Sequence, residues 1–365
     1  MKFWTLIAIL AINSPAYAQL GGIMKKAQEA QTRKAQFDDL NITEQEELQM
    51  GAGVSEKVRQ RFGVVQDAAV TRYVTLVGTT LAQLTERPKL PWTFIVLDTD
   101  GVNAFAAPGG YVHITRGALA LIKTEAELAG VLAHETTHVA HKHTVNAMRK
   151  NKAVALGANE TLANRSQFIN KMADKAYEMV LENAFDRGDE LDADASGVAL
   201  AQKAGYAPAA LADFLARLDE RNKNQPERNG LFASHPETKE RIDKVKLLAG
   251  AKPGAVVAAR YTSTIKYQPS DITKIAVVAE GTAGLTGSDG KKTEPAKKEE
   301  PPKKGFGLSN LKAAVAPEKS SQQVAASGGA RGVAPDRLAK GGDNPNPVKV
   351  TVSAADLAAF QKGIV

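Results

Sequence analysis

The sequence predicts an α+β fold, dominated by helices, with a small β-sheet and a flexible C-terminal tail. Three observations carry that expectation. Apolar residues recur at helical spacing over most of the first 250 positions. Only two short β-branched and aromatic runs, 92–97 (WTFIVL) and 111–115 (YVHIT), precede the longest helical stretch. The composition then changes character near Gly281.

Taken in order, Thr43-Glu44-Gln45-Glu46 is a capping box, and Gly63 stops the helix that it opens. Val70, Val74, Val77, Leu81 and Leu84 form one stripe of a second helix, which Pro88 and Pro91 end. Residues 92–97 read as a buried strand, 101–110 as turn-rich, and 111–115 as another strand, placed at the sheet edge. One long helix is expected over 125–149, weakly patterned helix over 150–188, and further helices over 189–204 and 208–221. Ser234-His235-Pro236-Glu237 caps a last helix running to Gly250. Residues 43–250 therefore make the main domain, after a lead segment at 19–42. Two accessory strands, 260–267 and 272–278, are expected within 251–280.

Both ends differ from this body. Lys2, an apolar stretch over 3–12, Pro15 and Ala16-Tyr17-Ala18 form a signal peptide, with cleavage expected after Ala18. The stretch is too short to span a bilayer, which takes about 20 apolar residues. A periplasmic or secreted protein follows. At the other end, 281–347 holds 11 Gly and 7 Pro in 67 residues, with Lys-Lys pairs between Glu and Pro, and reads as a solvated linker. Beyond it, 348–352 is expected as a short strand and 353–361 as a capped helical turn, a segment able to dock on a partner or envelope surface. Of the net charge of +7, the region from Gly281 onward supplies most, with 13 Lys and Arg against 8 Asp and Glu. The folded part is nearly neutral, which argues against a nucleic-acid partner. The chain has no cysteine, so disulfides, thiolate metal sites and cysteine nucleophiles are excluded.

The chemistry lies in His134-Glu135-Thr136-Thr137-His138, within the long helix. Residues four apart share a helix face, about 6 Å apart. Two imidazoles so placed can aim nitrogens at one point about 2.0–2.1 Å away, the reach of a zinc bond. Glu135, one position round, is poorly placed as a ligand and well placed as general base toward a water on the ion. A catalytic zinc takes three protein ligands and keeps one position open. No third His follows at a suitable spacing. The candidate is Glu190, with Asp194 on the same helix face to accept the spare N–H of a ligand His, although Asp186, Asp189 and Asp192 crowd the same stretch. His141 and His143 read as structural or surface residues.

His134-Glu135-x-x-His138, Glu190-x-x-x-Asp194 and Ser234-His235-Pro236 with Arg241 together resemble the M48 group of zinc metallopeptidases. Asn103-Ala104-Phe105-Ala106-x-Pro108-Gly109-Gly110 and the run to Gly117 resemble the strand segment that precedes the zinc helix there. The resemblance implies a zincin-like fold of gluzincin type over residues 43–250, one Zn2+ per chain and endopeptidase activity on protein or peptide substrates. It implies that His235 and Arg241 donate to the developing oxyanion. Beside it, Tyr111, Val112, His113 and Ile114, as an edge strand, would pair with an extended substrate by main-chain hydrogen bonds. A loop carrying His235 would cover the metal. The chain shows no membrane-spanning stretch and no helical-repeat array, so envelope association is expected only peripherally, through the basic tail. Two rivals stand beside this reading: a peptide-binding chaperone or assembly factor, and a zinc hydrolase of cell-wall peptide.

Overall fold

The computed structural model describes residues 42–155, 165–182, 185–223, 238–271, 276–278, 324–326 and 345–364. The expected signal peptide, nearly all of the lead segment, most of the linker and Ser234-His235-Pro236 lie outside the described residues.

Helix α1 (Glu44–Phe62) opens on the expected capping box: the Glu46 amide donates to Thr43 Oγ1 at 3.2 Å and the Thr43 amide to Glu46 Oε2 at 2.9 Å. It ends at Gly63, whose φ of 70° suits a residue without Cβ. Asp67 caps α2 (Ala68–Ala82) by accepting from the Ala69 and Val70 amides. The stripe predicted for this helix is buried from Val70 to Leu81.

Three strands form one mixed sheet, β1 (Thr93–Leu97), β2 (Ala104–Ala107) and β3 (Tyr111–Thr115), in the order β1-β3-β2. Two points correct the sequence reading. The turn-rich stretch holds a strand, β2, and Tyr111–Thr115 is the central strand rather than an edge. It pairs in parallel with β1 and antiparallel with β2. The backbone groups of Tyr111, Val112, His113 and Ile114 are thereby committed on both sides and are closed to a substrate strand. The reversal at Pro108–Gly110, with Gly109 and Gly110 both at positive φ, folds β2 back onto β3.

Side chains alternate across this sheet with the period of two that strands impose. Phe94, Val96, Ala104, Ala106, Val112 and Ile114 join a large core with α2. Ile95, Leu97, Phe105 and Ala107 join a second core with α1 and with α6 (Arg165–Glu182). The sheet is thus filled on both faces. The large core is completed by α3 (Arg116–Leu121), α4 (Glu125–Ala140), α7 (Arg187–Lys203), α8 (Ala210–Asn222) and α9 (Thr238–Ala249).

The long helix expected over 125–149 is two. α4 stops at Ala140, and α5 (His143–Ala155) starts after Lys142, whose φ is 59°. Lys142 is held there through its ammonium, 3.1 Å from the buried Glu47 carboxylate. The strand expected over 260–267 is instead largely helix α10 (Ala258–Thr264). Tyr261 is buried with its hydroxyl on the Leu119 carbonyl at 2.5 Å, and Arg260 donates to buried Glu125. Of the second accessory strand, Ala276–Val278 forms β4 and pairs antiparallel with β5 (Val324–Ala326), inside the predicted linker.

The C-terminal segment returns to the body. Residues 348–352 join no ladder, but Ser353 and Asp356 make a capping box and open α11 (Ala354–Lys362). Phe360 meets Tyr73 of α2 edge-on at 6.2 Å, and the Arg260 guanidinium lies 4.1 Å over its ring. Leu357, Phe360 and Ile364 are buried. Arg59 donates to the Pro345 carbonyl at 2.6 Å and Gln66 to the Asn346 carbonyl at 3.1 Å. The expected docking segment therefore docks on its own domain. Among the described residues, no helix is long and apolar enough to cross a membrane.

Candidate metal centre

Helix α4 is buried along its whole length, its polar side chains Glu125, Glu127, His134, Glu135, Thr136, Thr137 and His138 included. Its first turn is fixed twice. The Glu127 amide donates to Thr124 Oγ1 at 3.1 Å, and Glu125 accepts from Tyr73, Tyr206 and Arg260 at 2.7, 2.8 and 2.6 Å. Burial and the Glu125 charge push both tyrosine hydroxyls upward, so they stay protonated donors. Helix α7 lies closely against α4 because Gly197 faces the backbone of His134. A Cβ there would stand 3.0 Å from the His134 nitrogen. That approach brings Glu190 and Asp194 to the imidazoles.

The predicted ligand set converges. His134 Nε2 and His138 Nε2 are 3.1 Å apart, and Glu190 Oε2 and Oε1 lie 3.6 and 3.4 Å from them respectively. Three ligands on a tetrahedral zinc, with bonds of about 2.0–2.1 Å, stand roughly 3.3 Å from one another. The contacts here are of that size, with one Glu190 oxygen toward each imidazole. The side groups also set the ring protons to suit a cation. His134 Nδ1 is 3.0 Å from Asp194 Oδ1, which calls for N–H at Nδ1 and leaves the Nε2 lone pair facing the centre. His138 Nδ1 is 2.9 Å from His143 Nδ1. Lone pairs of two imidazoles and a carboxylate converging in a buried space repel unless a cation lies between them. The donors therefore fit a single divalent ion.

Asp194 is the expected partner of a ligand His. Burial alone would push its carboxyl up. Hydrogen bonds from Arg241 and His134 override that and hold it at about 2. Arg241 corrects the expectation of an oxyanion donor. Its guanidinium is buried and donates in a fork to both Asp194 oxygens at 2.7 Å, and Nη1 lies 2.8 Å from Glu190 Oε2. It is occupied in holding the two carboxylates. Glu135 is fully buried beside the ligands. His235 lies outside the described residues. His113, on the opposite side of the sheet from Val112 and Ile114, meets Ser55 of α1 at 2.9 Å. Burial, then the Arg59 charge, lower its imidazole to about 3, so it is neutral.

Two neighbours were not legible beforehand. His143 supports His138 through the bond above, and Phe185 stacks on the His138 ring at 4.0 Å. His143 stands five residues after His138, a spacing that on one unbroken helix turns it away. The break at Lys142 returns it.

Residues 68–249 match the model named Peptidase family M48. The chain is 25% identical over 256 residues to the Beta-barrel assembly-enhancing protease of Yersinia pestis, covering 64% of this chain and 50% of that one. It is 28% identical over 210 residues to the Putative beta-barrel assembly-enhancing protease of Vibrio cholerae serotype O1, covering 55% and 43%. It is 29% identical over 182 residues to the Mitochondrial metalloendopeptidase OMA1 of Schizosaccharomyces pombe, covering 48% and 52%. The chain thus spans about half the length of the curated relatives it matches. With its ligand triangle and the acids and arginine behind it all inside the matched stretch, the chain belongs to peptidase family M48.

Proposed function

We propose that this protein is an exported zinc-dependent endopeptidase that hydrolyses peptide bonds of cell-envelope proteins, in particular unfolded or misassembled ones. One observation carries the reading: His134, His138 and Glu190, from two separate helices, bring three ligand atoms within 4.8 Å of one another in a buried space. When bound there, Zn2+ supplies a Lewis acid and lowers the pKa of water to about 7. His134 and His138 would hold it through Nε2 and Glu190 through its carboxylate. Glu135 takes the proton of the attacking water and delivers it to the leaving amine. Asp194, fixed by Arg241, keeps the His134 proton at Nδ1. His235 remains a proposed oxyanion donor and loop residue. The names of the two bacterial relatives, both proteases linked to β-barrel assembly, favour an envelope setting, as does the signal-like N-terminus.

The test is Glu135→Gln. The variant is expected to keep wild-type zinc content and melting temperature while casein hydrolysis falls by about 10²-fold or more. Wild-type hydrolysis should stop in chelator and return with Zn2+. Hydrolysis that survives either treatment overturns the reading, and zinc-dependent peptide binding without cleavage would favour the chaperone alternative.

A further inference from the structure

We propose that His141, His143 and Asp192 form a second, weaker transition-metal site, and that filling it inhibits the first. The three donor atoms lie within 4.8 Å of one another. His141 Nδ1 is 2.5 Å and His143 Nε2 is 3.1 Å from Asp192 Oδ2. Glu86 Oε2 and Asp189 Oδ1 stand further out, 3.7 Å from His141 Nε2 and 4.0 Å from His143 Nε2, and add negative charge. Two imidazoles and one carboxylate suit Zn2+, Ni2+ or Cu2+ better than Mg2+ or Ca2+.

The backbone presets two of the donors. His141 ends α4 and His143 begins α5, so the left-handed Lys142 between them turns both rings toward α7. The rings stand 5.6 Å apart at 87°. Asp192, with 45% of its side chain exposed, is the adjustable third donor, and water can complete the coordination sphere.

The two sites share His143, and proton counting sets them against each other. A neutral imidazole carries one N–H. When His138 gives Nε2 to the first ion, its proton stays on Nδ1 and is donated to His143 Nδ1, 2.9 Å away. The single proton of His143 is then on Nε2 and is donated to Asp192. An ion at the second site takes the lone pair of His143 Nε2, so that proton must move to Nδ1. Two N–H groups would then face each other, and the hydrogen bond that orients His138 is lost. Losing such an outer partner of a metal ligand typically weakens metal affinity or activity 10–100-fold.

The inhibitory half rests on the peptidase reading; the ion count does not. The full chain, stripped with chelator, is titrated with Zn2+ by calorimetry and equilibrium dialysis, and casein hydrolysis is followed in parallel. Wild type is expected to take up a tight ion and then a weaker one, whereas His141→Ala and Asp192→Asn take up only the tight one. Glu190→Gln should weaken the tight ion and leave the weak one. In excess Zn2+ the wild-type rate should fall about tenfold or more, while His141→Ala, equally active at one equivalent, resists. A single ion in wild type at millimolar Zn2+, or a second ion retained by both variants, overturns the site. Equal inhibition of wild type and His141→Ala overturns the antagonism. Two ions without hydrolysis at any Zn2+ level sink the peptidase reading and the inhibitory half with it, and leave the site standing.

Discussion

Glu190 and Asp194 are both acids on one face of α7, yet Arg241 gives them different work. The guanidinium neutralises the pair in a buried place, so the Glu190 carboxylate can face the His134 and His138 Nε2 atoms while Asp194 keeps its grip on His134. Arg241→Met would leave two like charges buried without their counter-ion, and losing one partner of such a group costs about 3–5 kcal/mol. We expect a large drop in melting temperature in chelator and a smaller one with Zn2+, whose charge takes over part of the role. Equal drops in both conditions would speak against it. His113 carries a separate prediction. Its imidazole is held at about 3 against an ordinary 6.5, so between those values only the unfolded chain takes up the proton. Stability should be level above about pH 6.5 and fall as pH drops through that window. Urea midpoints of chelated wild type and His113→Gln, compared at about pH 7 and about pH 4.5, should diverge, with the variant losing less. At this scale the candidate ligands were legible: helix spacing puts His134 beside His138, and that pair singled out Glu190 and Asp194 from an acidic stretch that is a weak signal by itself. The duty of Arg241 was not, since it depends on how α9 crosses α7.

Helix α4 can present His134 and His138 to Glu190 only because α7 comes close, and Gly197 sets that distance. Gly197→Ala would place a methyl 3.0 Å from the His134 nitrogen, which is main chain and yields little. Overpacking of this kind costs about 1–3 kcal/mol. The expected signature is weaker Zn2+ binding alongside the lower melting temperature, because the displaced helix carries Glu190. Unchanged Zn2+ affinity would show that the spacing has slack. Most helices were readable from caps and stripes: the Thr43 box and the Val70 stripe stand where pattern put them, while the Asp67 cap ahead of that stripe emerged only with the structure. The misses share one cause, a long-range partner outweighing local preference. Glu47 holds Lys142 in the bend that splits the long helix, Glu125 draws Arg260 into α10, and β2 completes a sheet whose order no single strand's sequence encodes.

Across the whole molecule, the sheet divides two apolar cores, and the C-terminal segment closes over the larger one. Phe360 is its chief anchor, between Tyr73 and Arg260. Phe360→Ala is expected to lower stability by roughly 3 kcal/mol. A terminal helix can also detach as a unit, so deleting residues 345–364 sets the upper limit of that loss. Calorimetric melting of both variants checks the order, and a point variant less stable than the deletion would contradict it. Residues 258–271 and 345–364 rest on the same body, so the chain is anchored there on both sides of residues 272–344. A single nick in that stretch should therefore yield two fragments that elute together in gel filtration and separate only once denaturant is added.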